Sequence, residues 1–241
     1  MTVAARGDLA GAAAAAAAQI PLVRVRDVFK IYREGEIETV ALRGTDLDLP
    51  AGSVTSLMGP SGSGKSTLLA LIAGLAVPSA GQVILDGQDI GRLDEAGRSR
   101  IRGERIGIVF QSGNLIPFLT ARENVRAAMA FGGRAPSDTR AAALLAAVEV
   151  SDRAEHYPRQ LSGGEAQRVA VAVALANEPD ILLADELTGE LDSATADRVL
   201  DVLERLWTDR TLTVLLVTHN PAVAARAGTR LAVIDGVVTP A

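Results

Sequence analysis

Apolar positions along the chain fall into two kinds of pattern. Residues 22–32 and 38–49 are rich in Val, Ile and Thr, alternate in part (Leu42, Thr45, Leu47, Leu49), and are separated by a glycine-containing break. Partial alternation of this kind predicts two early strands, each with one face toward a core. Residues 53–58 form a short apolar run that enters a Gly/Ser turn, and 66–75 have the length and leucine spacing of a buried helix. Further on, residues 106–110, 181–184, 213–217 and 231–234 are continuous apolar runs, as expected for strands of a parallel sheet covered on both faces. Helix-like segments at 194–206 and 221–227 lie between them. The alternation predicts an α/β fold with a mostly parallel sheet. From 112 to 158 the pattern becomes Ala-rich, charged and helical with no strand-like run, which predicts a helical insertion between two core strands. No internal repeat is visible.

Composition supports a folded core. Of 241 residues, 48% are hydrophobic and 22% charged, and a chain of this length buries roughly 70% of its unfolded surface, which excludes a disordered or fibrous class. The absence of cysteine removes disulfide scaffolds, cysteine-based zinc sites and thiol nucleophiles, and allows a cytosolic address. With 24 basic against 29 acidic side chains and 3% aromatics, a basic groove of stacking rings is not expected, so no nucleic-acid partner is predicted. No run of about 18 apolar residues occurs, which predicts a soluble chain without a bilayer span. Residues 9–22 resemble a signal core behind Arg6, but alanine is weakly apolar, Asp8 spoils the basic flank and Pro21 ends the run. The expected organisation is a flexible Ala-rich extension at 1–20, then a single domain at 21–241 with a helical sub-domain at about 112–160.

The chemistry starts at Gly59, Pro60, Ser61, Gly62, Ser63, Gly64, Lys65 and Ser66, followed by Thr67. The run matches GxxxxGK[ST] and sits between the predicted strand and helix, as that motif requires. Glycines let successive N–H groups turn toward one centre, the helix adds its positive end, Lys65 reaches the terminal phosphates and the Ser66 hydroxyl suits magnesium. Lysine is otherwise rare: Lys30 and Lys65 are the two lysines among 24 basic residues. A phosphate cradle also needs a metal-anchoring acid and a base. Asp185 and Glu186, at the end of the apolar run 181–184, supply both in principle. His219, after the run 213–217, could contact the γ-phosphate or orient the attacking water, although a lone histidine also fits an ordinary surface or core position.

Leu161, Ser162, Gly163, Gly164, Glu165, Ala166, Gln167 and Arg168 resemble the signature motif of the ABC-transporter ATPase family, and they lie between the phosphate loop and the strand acids in that family's order. A small Ser and two glycines at a helix N-terminus make a second anion site. The resemblance implies that this site caps the γ-phosphate held by another subunit, in a head-to-tail homodimer with two ATP at the interface. It implies that family's fold, a phosphate-loop NTPase core with a mostly parallel sheet, an N-terminal antiparallel β sub-domain and a helical insertion sub-domain, and it extends residue by residue. Gln111 is similar to the Q-loop glutamine and a magnesium contact beside Ser66 and Asp185, Tyr32 to the adenine-stacking aromatic, His219 to the switch histidine, and Leu191 with Asp192 to the end of the D-loop. Two positions depart from the family pattern: Leu187 stands where proline is usual, and Glu190 where a small or amide residue is common. The proline's absence frees an N–H and relaxes φ near Glu186.

Within the family, Glu34, Gly35 and Glu36, the segment 106–119 with Asn114 and Pro117, and Glu123, Asn124 and Val125 are similar to the lipoprotein-release, macrolide-efflux and cell-division branch. The branch implies an ATP- and Mg2+-dependent ATPase, cytoplasmic and peripheral on the inner membrane face, serving a separate integral membrane permease in export or transmembrane force transmission. The apolar stretch 114–119 is expected to dock a short permease helix. A regulatory ATPase that signals through a membrane partner without net transport is the alternative. An ABC-type ATPase acting on DNA or ribosomes would carry a long heptad insertion or a second cassette, and neither is present.

Overall fold

The computed structural model describes residues 21–241 apart from 36, 112–114, 190, 210 and 211. The expected extension at 1–20, Glu36, Ser112, Asn114 and Glu190 lie outside the described residues.

Two sheets organise the chain. Strands β1 (Pro21–Glu34) and β2 (Ile37–Pro50) pair antiparallel, and β1 also pairs antiparallel with β4 (Ala80–Leu85), which continues to the short β5 (Gln88–Asp89). The order is β2-β1-β4-β5. The second sheet has the order β10-β9-β3-β8-β7-β6. Its members are β3 (Val54–Met58), β6 (Ile106–Val109), β7 (Ile181–Asp185), β8 (Thr213–Val217), β9 (Thr229–Ile234) and β10 (Val237–Pro240). All neighbours are parallel except β9 and β10.

Alternation along the central strands explains their continuous apolar runs. Ile181, Leu183, Leu215 and Val217 face a core that also holds Leu68, Leu69, Leu71 and Ile72 of helix α1 (Lys65–Ile72), sandwiched with Val23, Val25 and Val83 of the antiparallel sheet. Leu182, Ala184, Val214 and Leu216 face the opposite way into a second core. That core is covered by α3 (Ala121–Phe131), α4 (Asp138–Ala147), α5 (Gly163–Ala174) and α6 (Ser193–Asp209). A strand buried on both faces has no polar face to show, hence the runs.

The insertion between β6 and β7 holds α3, α4 and α5, so it continues beyond 158 into the helix that opens at Gly163. Residues 221–227 form only one helical turn, α7 (Pro221–Ala224), with Asn220 as its N-cap. Helix α2 (Glu95–Arg105) is an addition to the expected elements. It has one buried apolar residue, Ile101, and is stabilised by its Asp94 cap and by Glu95 bridging Arg98 and Arg102.

Candidate active site

In a parallel sheet, the C-terminal tips of the strands and the loops that follow them gather on one edge. Here β3, β8, β7 and β6 are neighbours, so the phosphate loop, His219, Asp185 with Glu186, and Gln111 leave the same edge. Gly59 has φ +155 and Gly64 φ +106, and a Cβ on either would lie within 2.5 Å of a backbone oxygen, of Val233 and Ala41 respectively. Both positions therefore need glycine for conformation and for space. The loop is fastened by the β9–β10 turn, whose Gly236 N–H donates to the Ser63 carbonyl at 3.0 Å. Lys65 is buried, and its Nζ donates to the carbonyls of Gly59 (2.7 Å) and Pro60 (2.9 Å). The ammonium is thus held inside the curl of the loop.

A cleft of about 350 Å³ opens there, walled by Ser61, Gly62, Gly64, Lys65, Ser66, Thr67, Gln111, Glu186 and residues 39–41 of β2. Glu186 sits in the left-handed region at φ +50. Its N–H donates to Val217 O at 2.9 Å, and Gly189 N–H donates back to its carbonyl at 2.9 Å, closing a turn. His219 Nδ1 lies 2.7 Å from Glu186 Oε2, with the histidine largely exposed and the glutamate largely covered. Leu187, the departure from proline, is 5% exposed and packs into the second core, so the apolar side chain anchors the turn that presents Glu186.

Asp185 bonds the Ser66 side chain, and its Oδ1 is buried with no hydrogen-bond partner. Burial, and then the neighbouring Glu186 charge, push its carboxyl above the usual range, while Ser66 and Lys65 oppose. An orphaned carboxylate oxygen beside a hydroxyl fits a small hard cation that takes oxygen ligands. Among the described residues no group of three or more His, Asp and Glu gathers. An ion here would complete its shell with phosphate oxygens and water.

Ser162, Gly163 and Gly164 do not wall this cleft. Ser162 is the N-cap of α5 in a reciprocal capping box: its Oγ accepts from Glu165 N–H, and its own N–H donates to Glu165 Oε2 at 2.8 Å. Ser162 and Gly163 are exposed, whereas a Cβ on buried Gly164 would come 2.3 Å from Thr195 of α6. The motif therefore forms an outward-facing helix end. Tyr32 is also away from the cleft walls. It is 43% exposed and carries Lys30 Nζ 5.0 Å from its ring centroid, while its cross-strand partner Thr39 does reach the cleft. Sequence reasoning missed two supports: residues 39–41, and buried Gln167 of α5, whose Nε2 donates to Phe110 O next to Gln111. A polar residue on the buried face of α5 was the available signal for Gln167.

Of the stretch 114–119, Leu115 packs against the second core, while Phe118 is 76% exposed and borders a groove with Pro117, Tyr157 and Arg159. Asn124 holds this loop: it accepts from Ile116 N–H and donates to the carbonyls of Ile116, Leu119 and Thr120.

A family model described as ABC transporter matches residues 42–189. The chain is 44% identical over 225 residues to the lipoprotein-releasing system ATP-binding protein LolD 1 of Caulobacter vibrioides, covering 90% of this chain and 94% of that one. It is 42% identical over 218 residues to the macrolide export ATP-binding/permease protein MacB of Marinobacter nauticus. That match covers 90% of this chain but 34% of the relative, so the chain spans about a third of the MacB length. Among solved structures, the ABC transporter cassette MJ0796 in its dimeric form superposes with a TM-score of 0.84 at 41% identity, covering 90% of this chain and 96% of that one. MJ0796 is also known as a dimer in a post-hydrolysis state bound to ADP and Pi, with the same TM-score and identity. With the phosphate loop, strand acids and signature helix in place, the chain belongs to the ABC transporter family as one of its ATP-binding cassettes.

Proposed function

We propose that residues 21–241 act as one cassette that binds and hydrolyses ATP with Mg2+ and drives an integral membrane permease from the cytoplasmic face. The observation that carries this reading is the single cleft in which Lys65, Ser66, Gln111 and Glu186 meet, with Asp185 bonded to Ser66 and His219 to Glu186. Loop N–H groups and Lys65 would take the β- and γ-phosphates, which requires the Lys65 ammonium to exchange its loop carbonyls for phosphate oxygens. Ser66, Asp185 and Gln111 would hold Mg2+, which supplies charge neutralisation on the phosphates. Glu186 accepts a proton as a water oxygen bonds to the γ-phosphorus and the bond to the ADP oxygen breaks, giving ADP and inorganic phosphate. His219, already 2.7 Å from Glu186, holds that carboxylate toward the cleft.

The signature end of α5 faces outward, which suits capping of the γ-phosphate on a second copy, so the working unit is a head-to-tail dimer with two ATP. Tyr32, paired across the strands with Thr39 of the cleft wall, would stack the adenine. In this reading the cassette works with an integral membrane permease, which docks at the Phe118 groove. Among the described residues no helix is long and apolar enough to cross a membrane. Export or transmembrane force transmission is the direction this branch favours. The regulatory alternative, a cassette that closes on ATP but hydrolyses poorly, would need a misplaced Glu186. Leu187 packs into the second core beside Glu186, which supports a base held in place for hydrolysis.

Cis and trans roles separate in a mixing experiment. Lys65→Ala should abolish nucleotide binding to its own subunit, and Ser162→Arg should spare binding but block closure. In a mixed dimer both defects fall on one composite site and leave the other whole, so an equimolar mixture should regain ATPase activity that neither variant has. A Ser162→Arg variant with nucleotide affinity as poor as that of Lys65→Ala would refute the trans assignment.

A further inference from the structure

The signature helix carries a carboxylate in its first turn, at the end that the proposed function assigns to a phosphate of the partner copy. A negative side chain at a helix N-terminus is favourable by itself, but it competes with any anion for the same positive end. Glu165 is committed on both oxygens. Oε2 accepts from the Ser162 N–H at 2.8 Å, and Oε1 accepts from Arg153 Nε at 2.8 Å. Arg153 also meets Asp152 at 3.1 Å, but Asp152 is far more exposed than Glu165, so Glu165 is the better-sheltered of the two partners.

Arg153 sits on firm ground. It ends the 3-10 turn Ser151–Arg153, with Val150 and Ala154 buried on either side, and its own N–H and carbonyl are both bonded, to Val150 O and His156 N–H. The same turn is tied to the start of α3 through Arg122 N–H to Ala154 O and Ala121 N–H to His156 O, both 2.9 Å. The Arg153 backbone is therefore fixed, and its guanidinium reaches the first turn of α5 from the turn that follows α4.

We infer that Arg153 is a positioning residue for ATP-driven dimerisation: it cancels the Glu165 charge and holds the Ser162 capping box in the geometry that receives the partner's phosphate. The inference rests on the head-to-tail reading above. The Arg153–Glu165 pair contributes little to the stability of the isolated subunit, because both ends are partly solvated. Its effect appears when a second negative group arrives, since without Arg153 the Glu165 carboxylate would repel it at close range.

The test uses the full chain in a Glu186→Gln background with ATP and Mg2+, reading dimer dissociation by analytical ultracentrifugation. Arg153→Ala should weaken dimerisation about a hundredfold, tenfold at each of the two composite sites, the size of one charge-assisted hydrogen bond per site, while monomer nucleotide affinity stays within about twofold and melting falls by no more than about 4 °C. Adding Glu165→Gln removes the charge and keeps an acceptor for the Ser162 N–H, so it should bring dimerisation back to within about twofold of the parent. Arg153→Ala that dimerises like the parent, or a double variant that stays as weak as the single one, overturns this inference alone. A parent that remains monomeric with ATP overturns the head-to-tail reading and this inference with it.

Discussion

Leu187 is the position at which the chain departs from its family next to the proposed base, and the structure makes its contribution measurable. Its side chain is 5% exposed and packs into the core formed by the outer faces of β7 and β8. Truncating a buried leucine to alanine costs between 2 and 5 kcal/mol in general, and the low end applies where the neighbourhood can collapse. A turn at the core's rim is such a place, so Leu187→Ala should cost about 2 to 3 kcal/mol, or roughly 4 to 12 °C of melting temperature for a domain of this length. The kinetic effect follows from the backbone. Glu186 is a non-glycine residue at φ +50, a conformation that costs roughly 1 to 2 kcal/mol and persists only while its surroundings impose it. With the anchor gone, Glu186 relaxes out of line with His219, and kcat should fall about tenfold, equivalent to about 1.4 kcal/mol. KM for ATP should hold, because the phosphate loop belongs to β3 and α1. Leu187→Met keeps the volume and should cost less than about 1.5 kcal/mol with near-normal turnover. The assays are thermal melting and steady-state hydrolysis at a temperature well below both melting points. A Leu187→Ala protein that melts normally, or melts lower yet turns over at the wild-type rate, refutes the anchoring argument.

Other outcomes follow from the same geometry. The Ser162 N–H and then Arg153 hold the Glu165 carboxyl down at about 2, against an ordinary 4.5. Because the folded value is the lower one, the stability this group contributes is present above about 4.5 and is lost as pH falls toward about 2. Carboxyl-carbon NMR should find Glu165 still ionised at about pH 3; titration near 4.5 in the wild type would contradict the bonding described. At the exposed groove, Phe118→Asp should leave basal hydrolysis of the isolated subunit unchanged and abolish co-purification with the membrane partner. Retained co-purification by the folded variant would place the docking surface elsewhere. Leu115 is unsuitable for that test, since it packs on the core.

The parts of the site that are legible in the sequence are those in which local chain order and chemistry coincide. The phosphate loop must follow a strand and begin a helix, and Asp185 with Glu186 must end a doubly buried strand, so spacing and hydropathy identify both. The elements left unassigned lack such coincidence. In α2 only Ile101 is buried, and ion pairs around Glu95 do the work of an apolar stripe, so no helical period exists to be read. Strand β4 begins with Ala80, Gly81 and Gln82, leaving only Val83 and Leu85 to signal burial. The Arg153–Glu165 bond joins residues 12 apart through a turn whose shape depends on tertiary contacts with α3. Helix α7 is shorter than its sequence suggests because Ala225 and Ala227 are good helix formers, while the chain must instead turn into the edge of the parallel sheet at β9.

The measurement that bears most directly on the proposed function is the mass of the Glu186→Gln protein in solution, by light scattering, with ATP and Mg2+ and then with ADP. The substitution leaves the phosphate loop intact and removes the group proposed to accept the proton. The account predicts a dimer with ATP, a monomer with ADP, and hydrolysis slowed by about a hundredfold or more. A monomer in both nucleotides, or turnover close to wild type, would contradict it.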